Sequence, residues 1–95
     1  MYVVIRKYTF DPKSSQEIKT KIQDIFVPLV KKTPGFISYC WMDTESGSGA
    51  SIGTYQNKAG AEASNRLAAE FANANLAHLH ISKPEITEGE VTVSC

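Results

Sequence analysis

A chain of 95 residues has room for one domain, and at this size folding buries about 60–65% of the surface that the unfolded chain exposes, so the core is thin. Ten basic and ten acidic residues cancel to zero formal charge, with 42% hydrophobic and 21% charged residues. That balance excludes the basic footprint of a nucleic-acid binder and fits an ordinary globular composition.

Tyr2 to Phe10, YVVIRKYTF, is rich in β-branched and aromatic types and reads as the first strand. Alternation puts Val3 and Ile5 on one side and Val4, Arg6, Tyr8 and Phe10 on the other, so both faces are expected to be covered. Arg6 and Lys7 also break the apolar run that a signal peptide needs, and no segment approaches the ~20 apolar residues of a membrane span. The expected setting is the cytoplasm, with no membrane and no nucleic acid as partner. Asp11-Pro12 ends the strand, and Ser14 and Glu17 have capping-box spacing. Ile18, Ile22, Ile25, Phe26 and Leu29 then form a helical stripe that predicts a helix over 15–31. Pro28 is expected to loosen that helix, because it has no N–H to donate. Lys31 and Lys32 fall at its end, where the helix dipole favours cations.

Thr33-Pro34-Gly35 stops the helix, and Phe36 to Met42, FISYCWM, reads as the second strand. Asp43 to Gly49 is a polar turn, and Ala50 to Gln56 is the third strand, where Gly53 leaves space for a close neighbour. Asn57 is a good N-cap for a helix over 58–77 that holds eight alanines. Its expected inner face is Ala63, Leu67, Phe71 and Ala74, continued by His78. Ser82-Lys83-Pro84 links to a last strand over 85–93. There Ile86 is out of phase with Val91 and Val93, which predicts a β-bulge at Gly89. Cys40 and Cys95 do not make a disulfide framework; Cys40 is expected to be a buried thiol and Cys95 part of a frayed terminus.

The order β-α-β-β-α-β over residues 1–95 defines one α+β domain of ferredoxin-like type, an antiparallel sheet with both helices on one face. The other face needs a cover. A second copy of the chain supplies it most simply, and a homodimer is expected.

Four features carry a resemblance: this element order, the segment Phe26-Val27-Pro28-Leu29-Val30, the Pro34-Gly35-Phe36 approach to the second strand, and the helix start Ala59-Gly60-Ala61-Glu62-Ala63-Ser64-Asn65. Together they resemble the antibiotic biosynthesis monooxygenase-like family of dimeric α/β barrels. The resemblance implies two ferredoxin-like subunits with their sheets packed together. It also implies, for some members, oxidation of aromatic substrates by O₂ with no cofactor, neither metal nor flavin. The haem-degrading branch of the family carries an Asn on the first strand and a Trp near the second helix. This chain has no Asn between Tyr2 and Phe10, and its one Trp, Trp41, lies on the second strand.

The candidate catalytic residues are Asn65, His78 and Tyr55. Asn65 can polarise a carbonyl or oxyanion, or can be a solvated helix residue. His78 can accept a proton from a phenolic substrate, or can simply meet helix-end carbonyls. The candidate ligand-binding residues are Arg6, Tyr39, Trp41 and Phe71. Tyr39 and Trp41 share a strand face and can stack on a flat ligand, or can pack in a core or interface. Arg6 can pair with an acid across a dimer or bind a ligand anion. His78-x-His80 lacks a third ligand, so no metal site is read. No nucleophile triad is visible, and Gly47-x-Gly49 lies between two strands, out of context for a phosphate loop. Three functions remain open: a cofactor-independent monooxygenase for a small aromatic or quinol-type compound, a non-catalytic small-molecule-binding dimer, and a pure assembly module.

Overall fold

The computed structural model describes all 95 residues. Strand β1 is Tyr2–Thr9. A 3₁₀ turn, Pro12–Ser14, leads into helix α1, Ser15–Lys21, which runs on through a π-helical stretch, Ile22–Phe26, into the short helix α2, Val27–Val30. Then come β2, Phe36–Asp43; β3, Ser48–Tyr55; helix α3, Lys58–Asn75; a 3₁₀ turn, Ala77–Leu79; and β4, Glu85–Glu90. The four strands form one sheet in the order β2-β3-β1-β4, and every neighbouring pair is antiparallel. This is the ferredoxin-like arrangement expected from the element order. Val4, Ile18, Phe26, Val30, Tyr55 and Phe71 are central to the core between the sheet and the helices.

Pro28 acts as its chemistry requires. The Val27 N–H reaches back five residues to the Ile22 carbonyl, a wide turn that relieves the clash between the proline ring and the preceding turn. The wide turn also resets the buried stripe. In a regular α-helix, steps of four residues drift by about 40° each; the π stretch takes up that drift. Ile18, Ile22, Phe26 and Val30 therefore stay inward. Ile25 and Leu29, expected in the stripe, turn outward at 37% and 41% exposure.

The start of α1 is not the expected capping box. Ser14 makes no side-chain cap. The Asp11 carboxylate instead accepts from the Lys13 N–H at 2.9 Å, which starts the 3₁₀ turn one step earlier. Glu17 is drawn away to Lys21 at 3.0 Å and His78 at 2.7 Å. Asn57 does cap α3, accepting from the Gly60 N–H at 3.3 Å.

The inner face of α3 is Gly60, Ala61, Ser64, Ala68 and Phe71, rotated from the expected Ala63–Ala74 line; only Phe71 is shared. Gly60 and Ser64 are small enough to approach the sheet most closely, and the buried Ser64 hydroxyl is satisfied by the Ala61 carbonyl at 2.7 Å.

The β1–β4 register runs unbroken from Tyr2–Glu90 to Lys7–Glu85, with Val3 opposite Gly89, so the expected bulge at Gly89 is absent. The irregularity lies between Phe36 and Ser38 on β2. Ile86 is out of phase with Val91 because only Ile86 lies within the strand. Ile86 pairs with Arg6 and shares its helix-side face, and Val91 lies past the strand, its N–H donating to the Met1 carbonyl at 2.9 Å.

The opposite sheet face carries no helix. Val3, Ile5 and Ile52 lie on it by alternation, beside Met42 at 52% exposure. Cys40, opposite Ile52, is on this face too, so it is exposed rather than buried. No helix of the fold is long and apolar enough to cross a membrane.

Candidate functional site

Between the sheet and α3 lies a cavity of about 340 Å³, within the size range of small-molecule sites. Alternation builds its floor. On β1, Arg6 and Tyr8 point toward the helices; on β2, Tyr39 and Trp41 do; Ser51 comes from β3. Phe26 walls one side, and Asn65, Ala68 and Phe71 of α3 form the roof. The segment His80–Pro84, with Ile86 of β4, forms the mouth. Ser82 pins that segment to the end of β1. Its N–H donates to the Thr9 carbonyl at 3.0 Å, and its hydroxyl accepts from the Thr9 N–H at 2.8 Å.

Two glycines of β3 make room for rings on the helix side of the sheet, one at the cavity floor and one in the core. A β-carbon at Gly49 would collide with the Trp41 indole, and one at Gly53 with the Tyr55 hydroxyl. Aromatic contacts tie the walls together: Phe26 lies 5.2 Å from both Tyr39 and Phe71, and Trp41 lies 6.1 Å from Tyr8.

The electrostatics centre on Arg6, which is 1% exposed. Its Nη1 donates to Asn65 Oδ1 at 2.8 Å and to Ser64 Oγ at 3.4 Å. Its Nε and Nη2 have no partner. No carboxylate lines the cavity. The closest acid in the hydrogen-bond chain is Glu88, which accepts from the other end of the Asn65 amide at 2.9 Å. Asn65 is thus fixed in one orientation, carbonyl toward Arg6 and amide toward Glu88. A guanidinium carries five donors and stays charged, and a buried charge without a counter-ion is costly.

Four of the five orphan polar atoms share one line across the sheet; the fifth, the Tyr55 hydroxyl, lies off it, beside Gly53. Trp41 is opposite Ser51, and Ser51 is opposite Arg6. Trp41 Nε1 and Ser51 Oγ are buried and unpartnered like the two guanidinium nitrogens. Burial pushes the Tyr39 and Tyr8 hydroxyls above the usual tyrosine range; the Arg6 charge pulls each back in part, and so do the Arg6 guanidinium beside the Tyr8 hydroxyl and the Ser51 hydroxyl beside that of Tyr39.

Of the sequence candidates, the structure brings together Arg6, Tyr39, Trp41, Asn65 and Phe71. Tyr55 and His78 lie elsewhere. Tyr55 is fully buried in the core, edge-on to Phe36 at 6.1 Å. His78 is exposed and meets Glu17 across the surface, because α3 ends at Asn75 and the chain leaves helical geometry at Leu76. Arg6 cannot reach an acid across the open sheet face, since its side chain is buried under α3. Tyr8, Ser51 and His80 were missed. Tyr8 is in phase with Arg6, and Ser51 in phase with Gly49 and Gly53, so both were readable from period two. His80, at a left-handed φ of 51°, follows no period. No three metal-ligating side chains gather anywhere in the fold.

No family profile matches the sequence, and no curated protein matches it. Solved structures do match its fold, which is that of the antibiotic biosynthesis monooxygenase-like and dimeric ferredoxin-like proteins. A monooxygenase from the ActVA-Orf6 gene of Streptomyces coelicolor, solved in complex with nanaomycin D, superposes with a TM-score of 0.78 at 13% identity, covering 99% of this chain and 89% of that one. An antibiotic biosynthesis monooxygenase superposes at 0.74 with 13% identity, covering 98% and 100%. A dimeric ferredoxin-like protein from an uncultured marine organism superposes at 0.76 with 10% identity, covering 99% and 96%.

Proposed function

We propose that this chain is a cofactor-independent monooxygenase of small aromatic or quinol-type compounds, working as a homodimer. The observation that carries the reading is the apolar, aromatic-walled cavity with a single buried cation. The shared fold with proteins described as monooxygenases agrees with it.

In the proposed reaction a phenolic substrate loses its proton and the anion delivers electrons to O₂. One oxygen atom becomes a carbonyl on the ring, and the other leaves as water with the two hydrogens of the oxidised phenol. The protein holds the ring and excludes bulk water. Tyr39, Trp41 and Phe71 contact the ring, Arg6 stabilises the oxyanion, and Asn65 holds Arg6. His80, the imidazole at the mouth, is the candidate proton acceptor. Tyr55 and His78 take no part.

1-Naphthol tests this, since it gives 1,4-naphthoquinone and water with one O₂. The expected result is protein-dependent O₂ uptake with one quinone per O₂, falling about tenfold or more in Arg6→Met. Uptake no faster than without protein, across 1-naphthol and its hydroxylated homologues, removes the oxygenase. Binding without chemistry would then take its place. That second reading is favoured by a lining that has no carboxylate and whose one imidazole is exposed.

The homodimer reading rests on the helix-free sheet face. Sedimentation should give twice the monomer mass, and Ile5→Lys, which puts a charge in that face, should give the monomer. A wild-type monomer at tens of micromolar protein would count against the pairing.

A further inference from the structure

We infer that the line Arg6–Ser51–Trp41 is an oxyanion site, and that the cavity's ligand is a flat aromatic molecule carrying an ionised oxygen. The inference rests on the cavity being a ligand site, as proposed above, but not on any reaction with O₂.

Four unpartnered polar atoms, Arg6 Nε and Nη2, Trp41 Nε1 and Ser51 Oγ, sit on three adjacent strands in one transverse line. All four can donate hydrogen bonds. The titratable and charged groups around them are Tyr8 on β1, Tyr39 on β2, and His80 and Lys83 at the mouth. None of these is an anion at neutral pH. The one nearby carboxylate, Glu88, is bound behind the Asn65 amide, so the guanidinium gains a neutral partner and keeps its charge unmatched. Water can fill hydrogen bonds but brings no countercharge. The rest of the lining is mostly apolar and aromatic, which disfavours a free inorganic anion and favours an oxyanion on a ring. Phenolate, enolate and aromatic carboxylate share that chemistry.

The probe is 4-nitro-1-naphthol, whose anion absorbs in the visible and whose nitro group makes it a poor substrate for oxidation. At a pH where the free dye is largely neutral, the bound dye should show the anion spectrum, with the ratio of anion to neutral form raised about tenfold or more. Arg6→Met should bind the dye with the ratio of the free dye. 1-Nitronaphthalene, which has no hydroxyl, should quench Trp41 fluorescence in both proteins. Asn65→Asp provides a second variant that keeps Arg6. It places a carboxylate on Nη1, and the ionised fraction should fall back to that of the free dye. A dye bound neutral to the wild type, or no quenching by either compound, overturns the oxyanion site. Bound anion without O₂ uptake from 1-naphthol keeps the site and removes the oxygenase; uptake with a neutral bound dye does the reverse. Competition by 1-naphthoate then identifies the source. Tighter binding than the naphthol points to a carboxylate ligand, and weaker binding to a phenolate or enolate.

Discussion

Replacing Arg6 by methionine should raise the melting temperature of the unliganded protein. Arg6 is 1% exposed, has two guanidinium nitrogens without partners, and has only neutral groups on the third. Replacing buried ion pairs by apolar side chains of similar volume is often neutral or stabilises by about 1–4 kcal/mol, and a buried charge that has no counter-ion gives up no ion pair when it is replaced. In a domain of this size ~2 kcal/mol corresponds to roughly 10 °C. Some of the gain is lost because Asn65 Oδ1 and Ser64 Oγ each lose a donor. Asn65 then retains only its bond to Glu88, so the net rise should be several degrees. Arg6→Ala should instead lower the melting temperature, because it also leaves a cavity. Calorimetry of the three proteins decides the point. With saturating aromatic anion the gap between Arg6→Met and the wild type should close or reverse, since a ligand that binds the folded wild type more tightly than the variant adds more to its stability. A lower melting temperature for Arg6→Met without ligand would mean that the Asn65–Glu88 chain already compensates the charge, making Arg6 a structural residue.

How much of this was legible follows from what each kind of pattern encodes. Period two on β1 assigns faces without any knowledge of the partner strands, so Val4, Arg6 and Tyr8 were placed correctly together. The same rule put Tyr39 beside Trp41. It says nothing about position along a strand. Tyr55 shares its face with Ser51 but pairs with Tyr2 and Phe36, at the other end of β3 from Gly49 and the Trp41 ring, where it fills core. Helical period is equally blind to where a helix stops. His78 continues the α3 pattern on paper, yet the chain turns at Leu76 and delivers it to Glu17. Pro28 signalled a loosened helix, but not that a π turn would carry Ile25 and Leu29 outward. The capping motif failed because Asp11 competes for the same turn with a carboxylate and a following proline. The lack of a counter-ion for Arg6 was beyond reach, because it depends on which acids the fold keeps away.

Gly60→Ala gives the sharpest conflict between local propensity and packing. Glycine inside a helix is worse than alanine by up to about 1 kcal/mol, so propensity alone predicts a more stable protein. Gly60 sits in the first turn of α3, where a β-carbon would strike the Pro34 carbonyl oxygen and lie 3.2 Å from the Tyr55 β-carbon. Neither is the free end of a flexible chain: one is backbone, the other the root of a fully buried ring. Relief requires α3 to lift from the sheet, and overpacking of this kind costs about 1–3 kcal/mol. A drop in melting temperature of several degrees, up to about 10 °C, is therefore expected. The lift should also reach the cavity. α3 carries Asn65 only five residues further on, and its 2.8 Å bond to Arg6 joins the roof to the floor. Gly89→Ala is the matched control. It is a strand glycine opposite Val3 on the open sheet face, with nothing of its own chain within 4 Å of the added carbon; compared in the Ile5→Lys monomer, where no partner covers that face, its melting temperature should stay within about 2 °C of the parent protein. If Gly60→Ala proved as neutral as Gly89→Ala, α3 would have slack against the sheet, and the close fit that brings Asn65 down onto Arg6 would not be a constraint of the fold.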